Sequence, residues 1–518
     1  MKRFANSIII GVLITIVVQS CSNSILDYND PNNYDTNSYF NTPSQIREAS
    51  TAIYSGLFFD RMMGWRWPEM FDVLANEANA QPPARTNEAN IIAFLQYQFN
   101  GNNDCISGYW KMLYRIILRA NLTIYKGNEY LEKHQDDNAM VKESIGEAYF
   151  LRGWAYTQLA FYWGRVPLRT SYDQTGNEDA KRTDTEEEVW AVAEADFKQA
   201  QNLLPPSWDD NNRGRATSGA ATGFLGKLYL YTKKYEEAEA EFSKMNNYAL
   251  VPADKWSGMF GETEENGPES IFEIQFQFWK GVSNTTGTFN NPEGNPLYGR
   301  ENCHQQLYGW NDWNNWYFPE RRVIDFRYND ESDAAYVDPR AKLTFYGGGI
   351  GDDVWCENCT SGPKPFTLAD AYYRKYLNKE FKETENTAES SNNLILMRYA
   401  DVLLMRAECA LKGAAPNVQK AIAFINEVRI RIGAFPYEKN YTVDQAFELL
   451  KRERQLEFMG EAQRFNDLKR WGILKETMDP EMAALGVSPI DPKYYYFPIP
   501  QVEIDNNFKL GTVDNDWN

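Results

Sequence analysis

Histidine is nearly missing from this chain: its 518 residues include two, His134 and His304. Side-chain acid–base chemistry near neutral pH leans on imidazole, so a catalytic constellation built on histidine is almost excluded. The short motifs that place a nucleophile, a metal or a phosphate are missing too. There is no Gly-x-Ser-x-Gly, no His-Glu-x-x-His and no phosphate-cradling loop, because Gly347-Gly348-Gly349-Ile350-Gly351 lacks the required spacing and the following helix. Asp209-x-Asn211 leads to no later ligand positions of a calcium loop. Positive charge is scarce, with 53 Lys and Arg against 72 Asp and Glu and a net charge of -19. An acidic surface repels phosphate, which makes nucleic acid and anionic lipid surfaces poor partners. A mean hydropathy of -0.59 excludes a polytopic membrane protein.

What hydrophobic run there is lies at the start. Met1, Lys2 and Arg3 precede an apolar stretch from Ile8 to Val18, and Gln19-Ser20-Cys21 follows. A stretch this short does not cross a hydrocarbon core of ~30 Å as a helix, and the order basic, apolar, small reads as a secretory signal over residues 1–20. A signal ending on cysteine looks like a bacterial lipobox, so Cys21 is expected to be lipidated and to anchor the protein without spanning the membrane. Gln19 is unusual at that lipobox position, and Ser22-Asn23-Ser24 lacks the acidic cluster that often follows the cysteine in surface-exported lipoproteins. Residues 21–35, with Asp27-Tyr28-Asn29-Asp30-Pro31, are too poor in apolar groups to pack and read as a tether. Five further cysteines, an odd number, are no disulfide framework. Cys356-Glu357-Asn358-Cys359 has a metal-like spacing that Cys303-His304 would complete, yet in an exported chain a local disulfide or free thiols are the simpler fate. No metal and no cofactor are expected.

Aromatics, by contrast, are abundant: 15 Trp, 32 Tyr and 29 Phe make up 15% of the chain, enough to furnish both a core and surfaces that stack on flat amphipathic ligands. Apolar residues recur at helical spacing over 106–133, 139–162 and 184–204; Ile116, Leu118, Leu122, Ile124 and Tyr125 are examples. Over 222–245, Leu225-Gly226-x-x-Tyr229, Ala238 and Phe242 match a tetratricopeptide unit, with Lys233-Lys234-Tyr235-Glu236-Glu237 as its turn. One such unit does not bury its own face, so helix pairs must stack on it. Further helices are expected at 394–412, with Leu403, Leu404, Ala407 and Leu411 on one stripe, and at 417–432, 442–459 and 461–475. Between these helical halves, about 257–392, the chain turns rich in Gly, Asn, Pro and aromatics, with one strand-like run over 271–276. The expected architecture is all-α: a tetratricopeptide-type helix-pair scaffold, about 36–256 and 393–518, with a long loop-rich excursion and minor β structure, the whole of 36–518 forming a single domain.

A set of motifs runs through the mature chain in fixed order. It includes Trp110-x-x-x-Tyr114, Gly146-Glu147-Ala148-x-Phe150-Leu151-Arg152, Trp163-Gly164-x-Val166-Pro167-Leu168, Arg398-Tyr399-Ala400-Asp401, Glu453-Arg454-x-x-Glu457-Phe458, Arg464-Phe465-x-Asp467-Leu468-Lys469-Arg470-Trp471-Gly472 and Phe497-Pro498-Ile499-Pro500. In this the chain resembles the SusD/RagB outer-membrane lipoproteins of Bacteroidetes. The resemblance implies a lipoprotein lid on a SusC-like TonB-dependent transporter that captures oligosaccharides or, in the RagB branch, oligopeptides for import. Most of these residues read as structural. Arg152, Glu453, Arg454, Glu457, Arg464 and Asp467 are expected to form helix-to-helix ion pairs, since charged groups stay buried mainly when paired.

Ligand contacts are expected on the loops, which a rigid scaffold would position. The leading candidate is Trp310-Asn311-Asp312-Trp313-Asn314-Asn315-Trp316-Tyr317, where indoles at spacing three would line one side of a helical turn, interleaved with groups that hydrogen-bond sugar hydroxyls. The alternative is that Trp316, Tyr317 and Phe318 run into a helix start and pack inward. A second candidate holds Trp65 and Trp67, read as extended with one indole buried and the other free, followed by Asn76, Asn79 and Arg85; Tyr298 is a third. The expected function is glycan capture without catalysis. Its rivals are peptide capture on the same architecture and a secreted α-helical glycoside hydrolase, since 72 acids offer many pairs and the deciding separation is spatial.

Overall fold

The computed structural model describes residues 39–58, 62, 66–80, 89–135, 137–172, 180–277, 316–318, 322, 325–327, 336–351, 354–356, 364–365, 371–376, 391–510 and 517. Helices dominate: α1 (Pro43–Tyr54), α2 (Arg66–Leu74), α3 (Ala89–Leu95), α4 (Asp104–His134), α5 (Ala139–Trp163), α6 (Glu186–Leu203), α7 (Ser218–Tyr231) and α8 (Tyr235–Phe242) precede the excursion. After it come α9 (Tyr399–Lys412), α10 (Val418–Arg431), α11 (Val443–Phe458), α12 (Arg464–Arg470), α13 (Leu474–Ala484) and α14 (Gln501–Asn506). Their starts follow from local chemistry. Thr42 with Gln45, Thr185 with Glu188 and Thr442 with Gln445 form capping boxes, and Asn103, Asn138, Thr217 and Asn417 cap α4, α5, α7 and α10.

The helices stack in chain order, α4 on α5, α5 on α6, α6 on α7 and α7 on α8; then α8 packs on α9 and α9 on α10 and α11, so the array continues across the excursion. In the tetratricopeptide unit, Gly226 lies under the Phe242 ring, where a Cβ would come within 2.5 Å of it. Ala238 and Phe242 are buried as expected, and so are Leu403, Leu404, Ala407 and Leu411. The turn is Thr232–Lys234; Tyr235, Glu236 and Glu237 already form the first turn of α8, where acids suit the positive helix end. On α4, Ile116 and Ile124 are buried, but Leu118 and Tyr125 are about half exposed. Seven residues apart, they share the solvent face, and the five apolar positions span more than one stripe.

Two expected boundaries shift. Leu394–Arg398 is not the first turn of a helix but a strand, β8, paired antiparallel with β2 (Ser270–Ile274) from Ser270 opposite Arg398 to Ile274 opposite Leu394. All five β8 residues are buried, so no alternation marked it as a strand. The segment 461–475 is split at Gly472, which takes a φ of 73°, and α13 then runs through Pro480 to Ala484, a residue type that argues against helix in the sequence.

The excursion carries more β structure than a loop region. Besides β2, its described residues form β3 (Trp316–Phe318), β4 (Phe345–Gly347), β5 (Val354–Cys356), β6 (Lys364–Pro365) and β7 (Ala371–Tyr373). β5 pairs with β6, while β1 (Asn79–Ala80) joins β3, β7 and β4 in a four-stranded antiparallel sheet of order β1-β3-β7-β4.

Buried ion pairs fix this excursion to the C-terminal helices. Arg340, wholly buried, reaches Glu453 at 2.7 Å, Glu457 at 3.0 Å and Asp338 at 2.8 Å. Arg398 at the end of β8 reaches Glu269 at 2.8 Å, Glu457 at 2.6 Å and Glu461 at 2.8 Å, and Lys375 after β7 also binds Glu461 at 2.8 Å. Burial alone would raise the Glu457 carboxyl, but Arg431, Arg398 and Arg340 hold it well below the carboxylate range. Within the scaffold, Arg454 bridges Asp401 and Asp467 at 2.8 and 2.7 Å, and Arg152 grips Asp196 of α6 through two bonds of 2.8 and 2.7 Å. Of the signature residues, Arg152, Glu453, Arg454, Glu457 and Asp467 are in buried ion pairs as expected, while Arg464 approaches Glu481 only to 3.8 Å.

Candidate functional site

The four-stranded sheet is where the candidate aromatic segments meet the scaffold. Ala80 pairs with Trp316 and Asn79 with Tyr317 in antiparallel register, and β3 continues onto β7 through Tyr317 opposite Tyr372 and Phe318 opposite Ala371. The chain leaves β1 at Ala80 directly across from Trp316, where it enters β3. Residues 81–88, which include Arg85, and the stretch Trp310–Asn315 lie outside the described residues.

A buried polar cluster surrounds the end of α2 and reaches the sheet through Tyr373. Helix α2 ends in a Schellman turn, with Glu77 N donating to Asp72 O at 2.8 Å, Asn76 N to Val73 O at 3.1 Å, and Asn76 in the left-handed region at φ 50°, which asparagine tolerates well. Asn76 Nδ2 donates to Glu481 of α13 at 3.0 Å, and its carbonyl accepts from Arg322 Nε at 3.2 Å. Arg322 also pairs with Glu481 and with Asp325 at 2.7 Å. The Tyr373 hydroxyl of β7 donates to Asp72 at 3.2 Å. Burial pushes Glu77 up to about 7, against the pull of Arg464 and Arg322. No short-range signal announces this cluster, because its partners come from α2, the excursion and α13.

The sequence candidates fare unequally. Asn76 and Asn79 are buried at 4% and 2% exposure, Asn76 in the polar cluster and Asn79 in β1 opposite Tyr317. Trp67 lies in α2, a helix beginning at Arg66, so the extended reading of Trp65 and Trp67 does not hold; residues two apart in a strand would in any case share a face. Trp316 lies in β3, so a helical stripe of indoles does not reach it, and Trp316–Phe318 run into a strand and not into a helix start. Cys21, Trp65, Tyr298, Trp310, Asn311, Asp312 and Trp313 lie outside the described residues, as do Cys303, His304 and Cys359. Among the described residues, no group of three or more His, Cys, Asp or Glu is placed to hold a metal ion, and no helix is long and apolar enough to cross a membrane.

For hydrolase chemistry the carboxyl of interest is Glu265. Burial pushes it up to about 7, the Asn393 N–H at 2.8 Å opposes the rise, and Glu273 and Glu262 add to it. A neutral acid of that kind suits proton donation. Its carboxyl neighbour Glu273 is 2% exposed and accepts from the Asn393 amide at 2.9 Å, and burial pushes its pKa up as well.

Comparison with known proteins matches two family models to the chain: the SusD family over residues 268–515, and a model described as "Starch-binding associating with outer membrane" over residues 26–230. SusD-like protein P38 of Formosa agariphila is 25% identical over 93% of this chain and 94% of its own length. A SusD superfamily protein from Bacteroides vulgatus superposes with a TM-score of 0.74 at 25% identity, covering 91% of this chain and 99% of that one. Surface glycan-binding protein A from Bacteroides thetaiotaomicron, solved in complex with laminarihexaose, shares the fold at a TM-score of 0.68 and 21% identity, over 89% and 97% of the two chains. With models of this kind matching both halves, and relatives aligned from end to end over a fold of the same stacked helices, the chain belongs to the SusD family.

Proposed function

We propose that this protein is a glycan-binding outer-membrane lipoprotein that captures oligosaccharide fragments and delivers them to a SusC-like TonB-dependent transporter, with no chemistry of its own. Residues 1–20 serve as signal, Cys21 carries the lipid, residues 21–35 form the tether, and 36–518 bind as one domain on the cell surface. Family membership supports the outer-membrane part of this reading, and a neighbour of the same fold holding laminarihexaose supports a glycan as ligand. The observation that supports the ligand face is the run Trp310-Asn311-Asp312-Trp313-Asn314-Asn315-Trp316, indoles interleaved with amides and a carboxylate, which leads into β3 of the four-stranded sheet. Trp310 and Trp313 stack on pyranose faces, Asn311 and Asp312 meet hydroxyls, and Trp65, Trp67, Tyr298 and Trp316 contribute at the margins.

A calorimetric screen of laminari-oligosaccharides, other neutral glycans and peptides against the mature chain tests the ligand. Glycan binding is expected, and binding of peptides alone would transfer the reading to the RagB branch. A reducing-sugar assay on the same polysaccharides should stay at background. Purification from native membranes in mild detergent tests the partner: a lid that stays on its barrel buries well above ~1,000 Å² and should bring the transporter with it. Cys21→Ala should release the mature chain from membranes, since buried acyl carbons add ~0.8 kcal/mol each.

A further inference from the structure

A cleft is lined by residues outside the four-stranded sheet. It lies between the 205–217 connection from α6 to α7, the Asn247–Tyr248 turn after α8 and the turn leading into β2, with a volume of about 230 Å³. Its strand pairs with β8, outside the β1-β3-β7-β4 sheet. Two half-buried aromatic rings line it, and both are held in place. Trp208 donates through Nε1 to Ala216 O at 2.8 Å and carries the Arg47 guanidinium 4.9 Å from its ring centre. Tyr248 stacks on Tyr399 at 6.4 Å, and its hydroxyl lies where a Cβ on Gly219 would come within 2.3 Å, so the missing side chain makes room for it. Buried Ile271 and Phe272 line the cleft beside the rings, and Ser207, Asn247, Asn266 and Ser270 add hydroxyl and amide groups to it.

The charges around the cleft are already paired. Arg215 binds Glu147 at 2.9 and 3.1 Å, Arg213 binds Asp210, and Glu273 accepts from the Asn393 amide at 2.9 Å and from Asn266 N at 3.0 Å. An anionic ligand would therefore have to compete with existing ion pairs, and a neutral one would not. Fixed rings beside amides and hydroxyls suit a sugar, with the apolar face of the ring on the aromatics and its hydroxyls on the polar groups. The volume is below the ~300–1,000 Å³ of drug-sized sites, which limits the occupant to about one ring.

We propose that this cleft is a second carbohydrate subsite, which takes a single neutral pyranose unit of a longer chain engaged elsewhere on the protein. The proposal rests on the glycan-binding reading above but predicts a separate place of contact. Two weak subsites joined by one polysaccharide would raise its avidity without tightening either one.

The test is fluorine NMR on the mature chain labelled with 5-fluorotryptophan, with the Trp208, Trp310 and Trp313 signals assigned by single Trp→Phe substitutions. The probes are methyl β-glucopyranoside, laminaritriose and glucuronate. The Trp208 signal should shift saturably with both neutral sugars and not with glucuronate. Asn247→Phe, at an exposed position on the cleft, should weaken that shift at least tenfold without moving the melting temperature; Ser207→Phe, also exposed, repeats the test if the first variant folds poorly. A Trp208 signal that stays still while Trp310 or Trp313 moves would overturn the cleft and leave the loop face standing. Movement of Trp208 alone would support the cleft and count against the loop face. A response to glucuronate alone, or to none of the three probes, would overturn the neutral-sugar assignment.

Discussion

Two seams of this molecule are built in opposite ways. Between α7 and α8 the contact is dry: Gly226 under Phe242, with Ala238 beside it. Between the excursion and α11 it is ionic: Arg340, Arg398 and Lys375 spread over Glu453, Glu457, Glu461 and Glu269. Paired helices joined by a short turn have few alternative arrangements, so shape complementarity is enough to align them. A segment that returns from far along the chain has many, and directional, charge-assisted bonds discriminate among them better than apolar contact does. The ionic seam thus acts mainly to position the excursion.

That distinction gives the largest expected effect. Arg398→Met leaves Glu269, Glu457 and Glu461 short of a partner in a buried site, and removing one member of such a network costs about 3–5 kcal/mol. Chemical denaturation should show a midpoint well below that of the native chain. An unchanged midpoint would mean that the seam tolerates an apolar filler, and the comparison with the dry seam would collapse.

Glu77 sharpens it through pH. Its folded pKa, about 7, lies above the usual 4.5, so the folded state keeps a proton that the unfolded state has lost between those values. This group's stabilising contribution is full below pH 4.5 and lost as pH rises to about 7. Glu77→Gln removes the titration, so the variant should gain on the native chain across that window by up to about 3 kcal/mol and stay level with it at lower pH. A difference independent of pH would show that Arg464 and Arg322 keep the carboxylate charged.

On the dry seam, Gly226→Ala puts a methyl 2.5 Å from the Phe242 ring, an overpacking that costs about 1–3 kcal/mol. The loss should be the same at pH 5 and pH 8, unlike the pH-dependent gain of Glu77→Gln. A neutral or stabilising outcome would show that the helix pair can slide apart.

The dry seam was readable in the sequence, and the ionic one only in outline. Gly226, Ala238 and Phe242 lie within one short unit, and Thr42, Thr185 and Thr442 announce their helices three residues before Gln45, Glu188 and Gln445. Local chemistry of this kind survives in the order of residues. The signature arginines pointed to buried pairs, but their partners did not follow, because Arg340 and Glu453 are more than a hundred residues apart. β8 was hidden by burial on both faces, and Asn76 looked like a ligand group because nothing nearby in sequence reveals its partners Glu481 and Arg322. Trp208 and Tyr248 went unremarked for the same reason: the cleft they line is assembled from three connections.

The smallest effect falls on the loop face and tests the other half of the comparison, that the excursion recognises while the seams hold. Trp310→Ala and Trp313→Ala each remove a stacking contribution of about 0.5–1.5 kcal/mol, so each should weaken binding of the cognate oligosaccharide by about two- to tenfold, and the pair should push a modest affinity toward the detection limit. Stability should barely move, because loop positions tolerate substitution better than core positions do. Calorimetric titration and a melting curve on the same samples separate the outcomes. Full affinity in the double variant would put the ligand face elsewhere, and a collapse of the melting temperature would make these indoles core, with the excursion supporting the scaffold in place of the reverse.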